Sequence, residues 1–225
     1  MAIPKELFDF LRDLEQNNNR PWFQANKERY EREYKEPLLA FIADFADQLP
    51  RISPYYMAIP KMTGGSLFRI YRDMRFSQDK RPYKTWAGMH FRHERAPDVH
   101  SPGFYLHLEP DSSFVSCGIW KPERTTLQRI RQVIAEHPRR WLEAVNDPEF
   151  RSAYHLAGDS LKRPPREFDP DHPLIDDIKR VDYLGSHPIT EKTALREDFL
   201  DLYVDLCQKA VPFMRFLTES LGLVW

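Results

Sequence analysis

Residues 103–120 read GFYLHLEPDSSFVSCGIW, and this stretch decides the fold class. Apolar side chains alternate with polar or aromatic ones over residues 103–109 and again over residues 113–120, which is the period of a β-strand. The turn between the two runs is too short for a helical crossover. We therefore predict two neighbouring strands that pair antiparallel.

Two segments upstream, residues 66–73 and 86–94, alternate in the same way. Because successive side chains of a strand point to opposite sides, paired strands give a sheet with two distinct faces. The apolar face is predicted to pack against helices and comprises Phe68, Ile70, Met89, Phe91, Phe104, Leu106, Leu108, Val115, Cys117 and Ile119. The opposite face carries Arg69, Tyr71, Asp73, His90, Arg92, Tyr105, His107, Glu109, Ser116 and Trp120.

Helical periodicity appears on both sides of these strands. Apolar side chains three and four residues apart predict a helix over residues 4–16. They predict a second helical region that begins at Pro21 and restarts at Pro37. A last helix is predicted over residues 196–221, with a bend at Pro212. A short strand is predicted over residues 181–189. Together these elements predict an α+β fold, with helices from both chain ends packed on one face of a central antiparallel sheet, as one domain over residues 1–225.

The composition is that of an ordinary globular chain. The formal net charge is −1 and 41% of the residues are hydrophobic, so we expect no general attraction to DNA or to an anionic membrane. Cys117 and Cys207 are far apart and form no CxxC pair, which disfavours a disulfide framework or a structural zinc site. No apolar run approaches the ~20 residues of a membrane span, and the first residues lack the apolar core of a signal peptide. We expect a cytoplasmic protein without a membrane partner.

The segment most informative about function is RIYRDMRFSQDKRPYKT, residues 69–85. Residues 69–95 hold six arginines and two lysines against three carboxylates, a local net charge of +5 in a chain that is negative overall. Guanidinium groups present planar pairs of donors that match carboxylate and phosphate groups. The segment therefore predicts a local site for anions rather than a basic protein.

This segment also resembles the hallmark of a bacterial family, the domain of unknown function 2461. The matching string is R-x-x-R-D-x-R-F-x-x-D-K-x-P-Y, which runs from Arg69 to Tyr83. The resemblance extends to Asn18-x-Arg20-x-Trp22-Phe23, to Gly103-x-Tyr105-x-His107 and to Gly118-x-Trp120-x-Pro122. Its spread implies that the whole chain is one member, and it implies no activity.

Three interpretations of the arginine-rich segment stay open. In the first, the protein binds a small phosphate- or carboxylate-bearing ligand, with or without enzymatic activity, through Arg69, Arg72, Asp73, Arg75, Asp79, Lys80, Tyr83, Tyr105 and Trp120. His107 and His90 are then the candidates for proton transfer. In the second, the segment belongs to a nucleic-acid binding module whose exposed aromatic residues stack bases. In the third, the charges form structural ion pairs in a scaffold or interaction protein.

The sequence identifies no cofactor, and we predict no metal site. His90 and His93 form an HxxH pair, but this spacing places them on opposite faces of a strand. A second polar and aromatic group comprises Arg20, Trp22, Asn26, Lys27 and Tyr30. We predict that it packs in the core with a cap from Asn18 or Asn19. The alternative is that Arg20 and Lys27 join the basic segment.

Overall fold

The computed structural model describes residues 1–75, 78–95 and 100–225, and within them six strands form one antiparallel sheet. The strands are β1 (Tyr56–Met57), β2 (Ala87–His93), β3 (Gly103–Leu108), β4 (Phe114–Ile119), β5 (His155–Ala157) and β6 (Tyr183–Pro188). Their order across the sheet is β1-β2-β3-β4-β6-β5. The antiparallel pairing of β3 with β4 confirms the prediction from residues 103–120.

Helices occupy both ends of the chain. Before the main strands lie α1 (Lys5–Gln16), α2 (Arg20–Ala25), α3 (Lys27–Arg29), a π-helical segment (Tyr30–Lys35), α4 (Glu36–Gln48) and a 3-10 turn (Leu49–Arg51). After β4 lie α5 (Arg124–Glu136), α6 (Pro138–Val145), α7 (Pro148–Ala153), α8 (Ile175–Ile178), α9 (Glu191–Ala194), α10 (Phe199–Lys209) and α11 (Val211–Ser220). In the described part of the chain, no helix has both the length and the apolar character that crossing a bilayer requires.

One face of the sheet is buried beneath helices from both ends. The Phe91 ring of β2 lies 4.6 Å from the ring of Phe45 in α4 and 5.9 Å from the ring of Tyr203 in α10. The apolar side chains of β3 and β4 on this face are fully buried. Burying a large apolar side chain contributes roughly 1.5–3 kcal/mol, so this face holds the layers together. The predicted α+β arrangement is confirmed.

The prediction of a regular strand over residues 66–73 is wrong, because the segment makes only isolated bridges. Leu67 is fully buried and lies opposite Met89. Its neighbour Phe68 therefore points to the other face of the sheet, and its predicted place in the core is wrong as well. Ile70 is also buried, so strict alternation breaks between positions 67 and 70.

The predicted helix over residues 196–221 is two helices, α10 and α11, which meet at Ala210. Pro212 lies in the first turn of α11. Because proline has no N–H to donate to the carbonyl of Gln208, the first helix ends here instead of bending. The short strand predicted over residues 181–189 is present as β6, which lies between β4 and β5 in the sheet.

Candidate functional site

The arginine-rich segment is a loop whose ends are closed by backbone pairing. The Lys84 N–H donates to the Ile70 carbonyl at 2.8 Å, and the Arg72 N–H donates to the Pro82 carbonyl at 2.9 Å. This pairing fixes both ends of the loop just before β2 begins. Phe76, which belongs to the motif, lies outside the described residues.

Inside the loop, aspartates bind three of the guanidinium groups. Asp79 accepts hydrogen bonds from both Arg81, at 2.7 Å, and Arg72, while Asp73 accepts one from Arg75 at 2.6 Å. The hydrogen bonds from Arg75 lower the pKa of Asp73 to about 2, because they stabilise the carboxylate. Those from Arg81 and Arg72 lower the pKa of Asp79 for the same reason. The two carboxylates stay ionised at neutral pH, and they neutralise part of the basic cluster.

A further contact attaches the loop to the amino-terminal helices. The Asn18 amide donates to the Tyr83 carbonyl at 3.0 Å, and the Asn18 side-chain oxygen accepts the Tyr83 N–H at 3.1 Å. The Tyr83 ring stacks on Phe23 with centroids 4.1 Å apart. Tyr71, which is 48% exposed, lies at the edge of this cluster, 5.5 Å from Tyr83. Asn18, Phe23 and Tyr83 thus connect the loop to the amino-terminal segment.

The other amino-terminal residues also serve local structure. Asn19, and not Asn18, caps α2 by accepting the Trp22 N–H at 3.0 Å. Lys27 pairs with Glu31 at 3.0 Å, and it is not among the residues that line the cleft described below. The structure therefore favours local structure over the basic segment for Lys27, whereas Arg20 is exposed and lies within electrostatic reach of Tyr83.

An aromatic cavity of about 380 Å³ opens on the sheet face that turns away from the helices. Its lining includes Phe68, Trp86, His90, Gly103, Tyr105, His107, Phe114, Ser116, Gly118, Trp120 and Leu184. The register of the sheet brings these side chains together, since His90 lies opposite Tyr105 and His107 lies opposite Phe114. A concave apolar lining with a few polar groups is typical of small-molecule sites.

Glycines in the strands make room for the rings of this aromatic cavity. A Cβ atom on Gly88 would lie 2.7 Å from the Tyr105 hydroxyl and 2.8 Å from the Trp86 ring. A Cβ atom on Gly103 would lie 2.0 Å from His90 Nε2. Glycine within a strand often marks a place where another group approaches closely. The two glycines are visible in the sequence, but the rings that they accommodate follow only from the pairing of the strands.

A chain of hydrogen bonds runs along β3 at the cavity. The Tyr105 hydroxyl lies 2.9 Å from His107 Nδ1, and His107 Nε2 lies 3.2 Å from Glu109 Oε2. Because a carboxylate only accepts, Nε2 carries the hydrogen in the neutral ring, and the Tyr105 hydroxyl donates to Nδ1. Burial lowers the pKa of His107, although the charge of Glu109 acts in the opposite direction, and burial raises the pKa of Tyr105. Both groups are neutral near pH 7, and the imidazole can accept a proton.

A basic cleft of about 410 Å³ adjoins the aromatic cavity. It is lined by Arg72, Asp73, Arg81, Tyr83, Lys84, Thr85, Trp86 and Glu109. Trp86 lines both spaces. Positions 69–84 hold six basic and two acidic residues, which gives the loop a net charge of +4 even after its internal ion pairs are counted. The lining of the cleft itself has three basic side chains, Arg72, Arg81 and Lys84, and two acidic ones, Asp73 and Glu109.

Lys84 lies at the boundary of the two spaces. Its Nζ donates to the Arg69 carbonyl at 2.8 Å and lies 4.7 Å from the Trp86 ring and 5.4 Å from the Phe68 ring. Burial lowers the pKa of Lys84 to about 8, and the positive charge of Arg69 contributes in the same direction. Lys84 therefore loses its proton much closer to neutral pH than an ordinary lysine does.

The residues predicted from sequence to bind a ligand separate into three groups. Tyr105 and Trp120 line the aromatic cavity, as do His107 and His90, while Arg72, Asp73 and Tyr83 line the basic cleft. Arg69, Arg75, Asp79 and Lys80 are not among the lining residues of either space. The predicted arginines do not share one space: Arg72 lines the cleft and binds Asp79 together with Arg81, whereas Arg75 binds Asp73 and lines neither space. Sequence reasoning did not single out Trp86, Lys84 or Phe114.

A family model described as Conserved hypothetical protein (DUF2461) matches residues 6–216. The matched region includes every residue that lines the aromatic cavity and the basic cleft. No curated protein and no solved structure matches the chain.

Proposed function

Because the chain belongs to the DUF2461 family of conserved hypothetical proteins, whose description names no activity, we propose a function from the site itself: the protein binds a small planar ligand that carries a carboxylate or phosphate group. The planar part occupies the aromatic cavity, and the anionic group faces the basic cleft. The observation that carries this proposal is that Trp86 lines both spaces.

The arrangement of the rings supports a planar ligand. The His107 ring lies 4.6 Å from Phe114 in a stacked geometry and 4.9 Å from Trp86. A ring that enters this cavity meets aromatic faces and edges, and each such contact contributes about 0.5–1.5 kcal/mol beyond the burial of area. The polar groups of Tyr105 and His107 then fix the orientation of the ligand.

The charge of the loop supports an anionic group on that ligand. Arg72 and Arg81 share the single carboxylate of Asp79, so this trio keeps one positive charge. Arg72 uses Nη1 for Asp79, and a guanidinium has five N–H donors in all. Lys84 adds a further cation when it is protonated. A carboxylate or phosphate in the cleft therefore meets donors without displacing Asp79.

Calorimetric titration with 2-naphthoate, and with its neutral isostere 2-naphthamide, tests the proposal. We expect 2-naphthoate to bind more tightly, and its affinity to fall as salt is raised. Trp86→Ala should lower the affinity for both compounds, because it removes the side chain that lines both spaces. Arg72→Ala should lower the affinity for 2-naphthoate alone, on the order of tenfold, because it removes one charge-assisted hydrogen bond.

The matched control is Arg196→Ala. Arg196 pairs with Asp198 at 2.6 Å, and neither residue is among those lining either space, so its removal should leave both affinities unchanged. Absence of binding by 2-naphthoate and by 2-naphthyl phosphate would contradict the proposal. A single-stranded oligonucleotide that binds more tightly than these compounds, and displaces 2-naphthoate, would favour a nucleic-acid binding module instead.

A further inference from the structure

Two lysines lie against tryptophan rings, and their surroundings differ. Lys84 Nζ is 4.7 Å from the Trp86 ring, and Lys121 Nζ is 4.8 Å from the Trp120 ring. Lys121 is exposed, and Trp120 is itself 50% exposed. Lys84 is half-buried and contacts a second ring, so its ammonium form is less well hydrated.

The hydrogen-bond partner of Lys84 is also unusual for a lysine near carboxylates. Its Nζ donates to the backbone carbonyl of Arg69, and within the described residues it forms no ion pair. A neutral carbonyl holds the amine in place without stabilising its charge as a carboxylate does. The site thus positions the Lys84 nitrogen beside rings that line the aromatic cavity and makes its unprotonated form more accessible than that of an ordinary lysine.

Groups that exchange protons lie beside this amine. Glu109 lines the same cleft as Lys84 and is hydrogen-bonded to His107, which is in turn hydrogen-bonded to Tyr105. The other ionisable groups that line the cleft are Arg72, Asp73, Arg81 and Tyr83, of which the first three pair within the loop. A desolvated lysine amine is a nucleophile for carbonyl groups, and acid–base groups that share its cleft can exchange the protons of such a reaction.

Resting on the proposed binding function, we propose that Lys84 is a nucleophile that forms an imine with a carbonyl ligand, and that the ligand class is an aromatic 2-oxo acid. In such a compound the carbonyl lies between the ring and the carboxylate. The ring then fills the aromatic cavity, the carboxylate reaches the basic cleft, and the carbonyl carbon comes to Lys84 at their boundary.

The step balances without an oxidant or a reductant. The unprotonated Lys84 nitrogen attacks the carbonyl carbon, a C–N bond forms, and the carbonyl oxygen takes up a proton. The resulting carbinolamine loses this oxygen as water, which leaves a C=N bond. One amine and one carbonyl thus give one imine and one water. The chain from Tyr105 through His107 to Glu109 supplies and takes back the protons that the two stages exchange.

Reductive trapping tests the inference on the full-length protein. The probe is 2-naphthylglyoxylate with cyanoborohydride, and peptide mass mapping locates the modified lysines. Near pH 8 about half of the Lys84 amines are unprotonated, since the pKa is about 8 and not 10.5. We expect Lys84 to react on the order of 100-fold faster than a lysine of ordinary pKa, with a rate that levels off above pH 8. Lys121 is the internal comparison.

The outcomes separate this inference from the function on which it rests. The imine and the binding function are both supported if 2-naphthoate suppresses trapping at Lys84, and if Lys84→Arg abolishes this trapping without moving the label to other lysines. If 2-naphthoate binds but exposed lysines such as Lys121 are labelled as fast as Lys84, the imine is overturned and the binding function stands. If 2-naphthoate does not bind and Lys84 is not trapped selectively, the binding function and the imine are both contradicted. The labelling pattern of the unmodified chain is decisive without any variant.

Discussion

Removing the half-buried Asn18 side chain should destabilise the protein, because it pairs with a buried stretch of backbone. Asn18→Ala deletes hydrogen bonds of 3.0 and 3.1 Å to both backbone groups of Tyr83, which is only 5% exposed. Each bond contributes about 1 kcal/mol net, and a backbone group left unpaired away from water costs about 1–3 kcal/mol. We therefore expect the free energy of unfolding to fall by about 2–4 kcal/mol. Urea unfolding followed by tryptophan fluorescence measures this loss, and calorimetry should show Tm falling by roughly 2–4 °C per kcal/mol.

The neighbouring asparagine provides the matched control. Asn19→Ala removes only the cap of α2, a hydrogen bond of 3.0 Å to the Trp22 N–H, which costs about 1 kcal/mol. Because Trp86 lies three residues after Tyr83, Asn18→Ala should also weaken 2-naphthoate binding, and Asn19→Ala should not. Equal losses of stability in the two variants, or a larger loss for Asn19→Ala, would refute the role assigned to Asn18.

Three further predictions concern the cavity and its ionisable groups. Gly88→Ala should lower the affinity for 2-naphthoate in calorimetric titration, because its Cβ would lie 2.7 Å from the Tyr105 hydroxyl. Overpacking of this kind costs about 1–3 kcal/mol. An unchanged affinity would contradict the shape of the cavity. Between pH 8 and 10.5 the unfolded chain binds more protons at Lys84 than the folded chain, so stability should rise with pH. The free energy of unfolding of Lys84→Met, measured with urea, should lack this rise with pH. If the free energies of the variant and of the unmodified protein changed with pH in parallel, the lowered pKa would be contradicted. In NMR titrations the pKa of His107 should lie below 6.5. In Tyr105→Phe this pKa should increase, because the lost hydroxyl stabilises the neutral ring. An equal or lower pKa in the variant would exclude this hydrogen bond.

The central strands could be predicted because each has one face in the core and the other at the cavity. In β3 the buried Phe104 and Leu106 alternate with Tyr105 and His107, so the period of two is intact in the sequence. The same alternation placed His90 and Tyr105 on one face, where the register brings them opposite each other. Side chains that share a face were therefore accessible from the pattern, although the cavity above them was not.

The segment before β2 misled the prediction because Leu67 and Phe68 are adjacent and both apolar. Either residue fits the core by composition, and only the pairing of Leu67 with Met89 decides between them. Once that pairing is fixed, Phe68 turns to the cavity. Long-range pairing of this kind is set by tertiary contacts and overrides the local pattern.

The arginine motif was interpreted from its charge alone. Its charge suggested guanidinium groups that converge on an anion, yet Asp73 and Asp79 each precede by two positions the arginine that they bind. That spacing was visible in the sequence and indicated local ion pairs. The role of Lys84 was not visible, because it depends on where the loop closes and on which rings then surround the amine.

A crystal structure of the protein grown with saturating 2-naphthoate would decide whether the two adjoining spaces form one ligand site. We expect the naphthalene ring in the aromatic cavity beside Trp86 and the carboxylate on the side of Arg72 and Lys84. An empty cavity in crystals that hold the compound elsewhere on the surface, or a ring bound with its carboxylate turned away from the cleft, would contradict the proposed function.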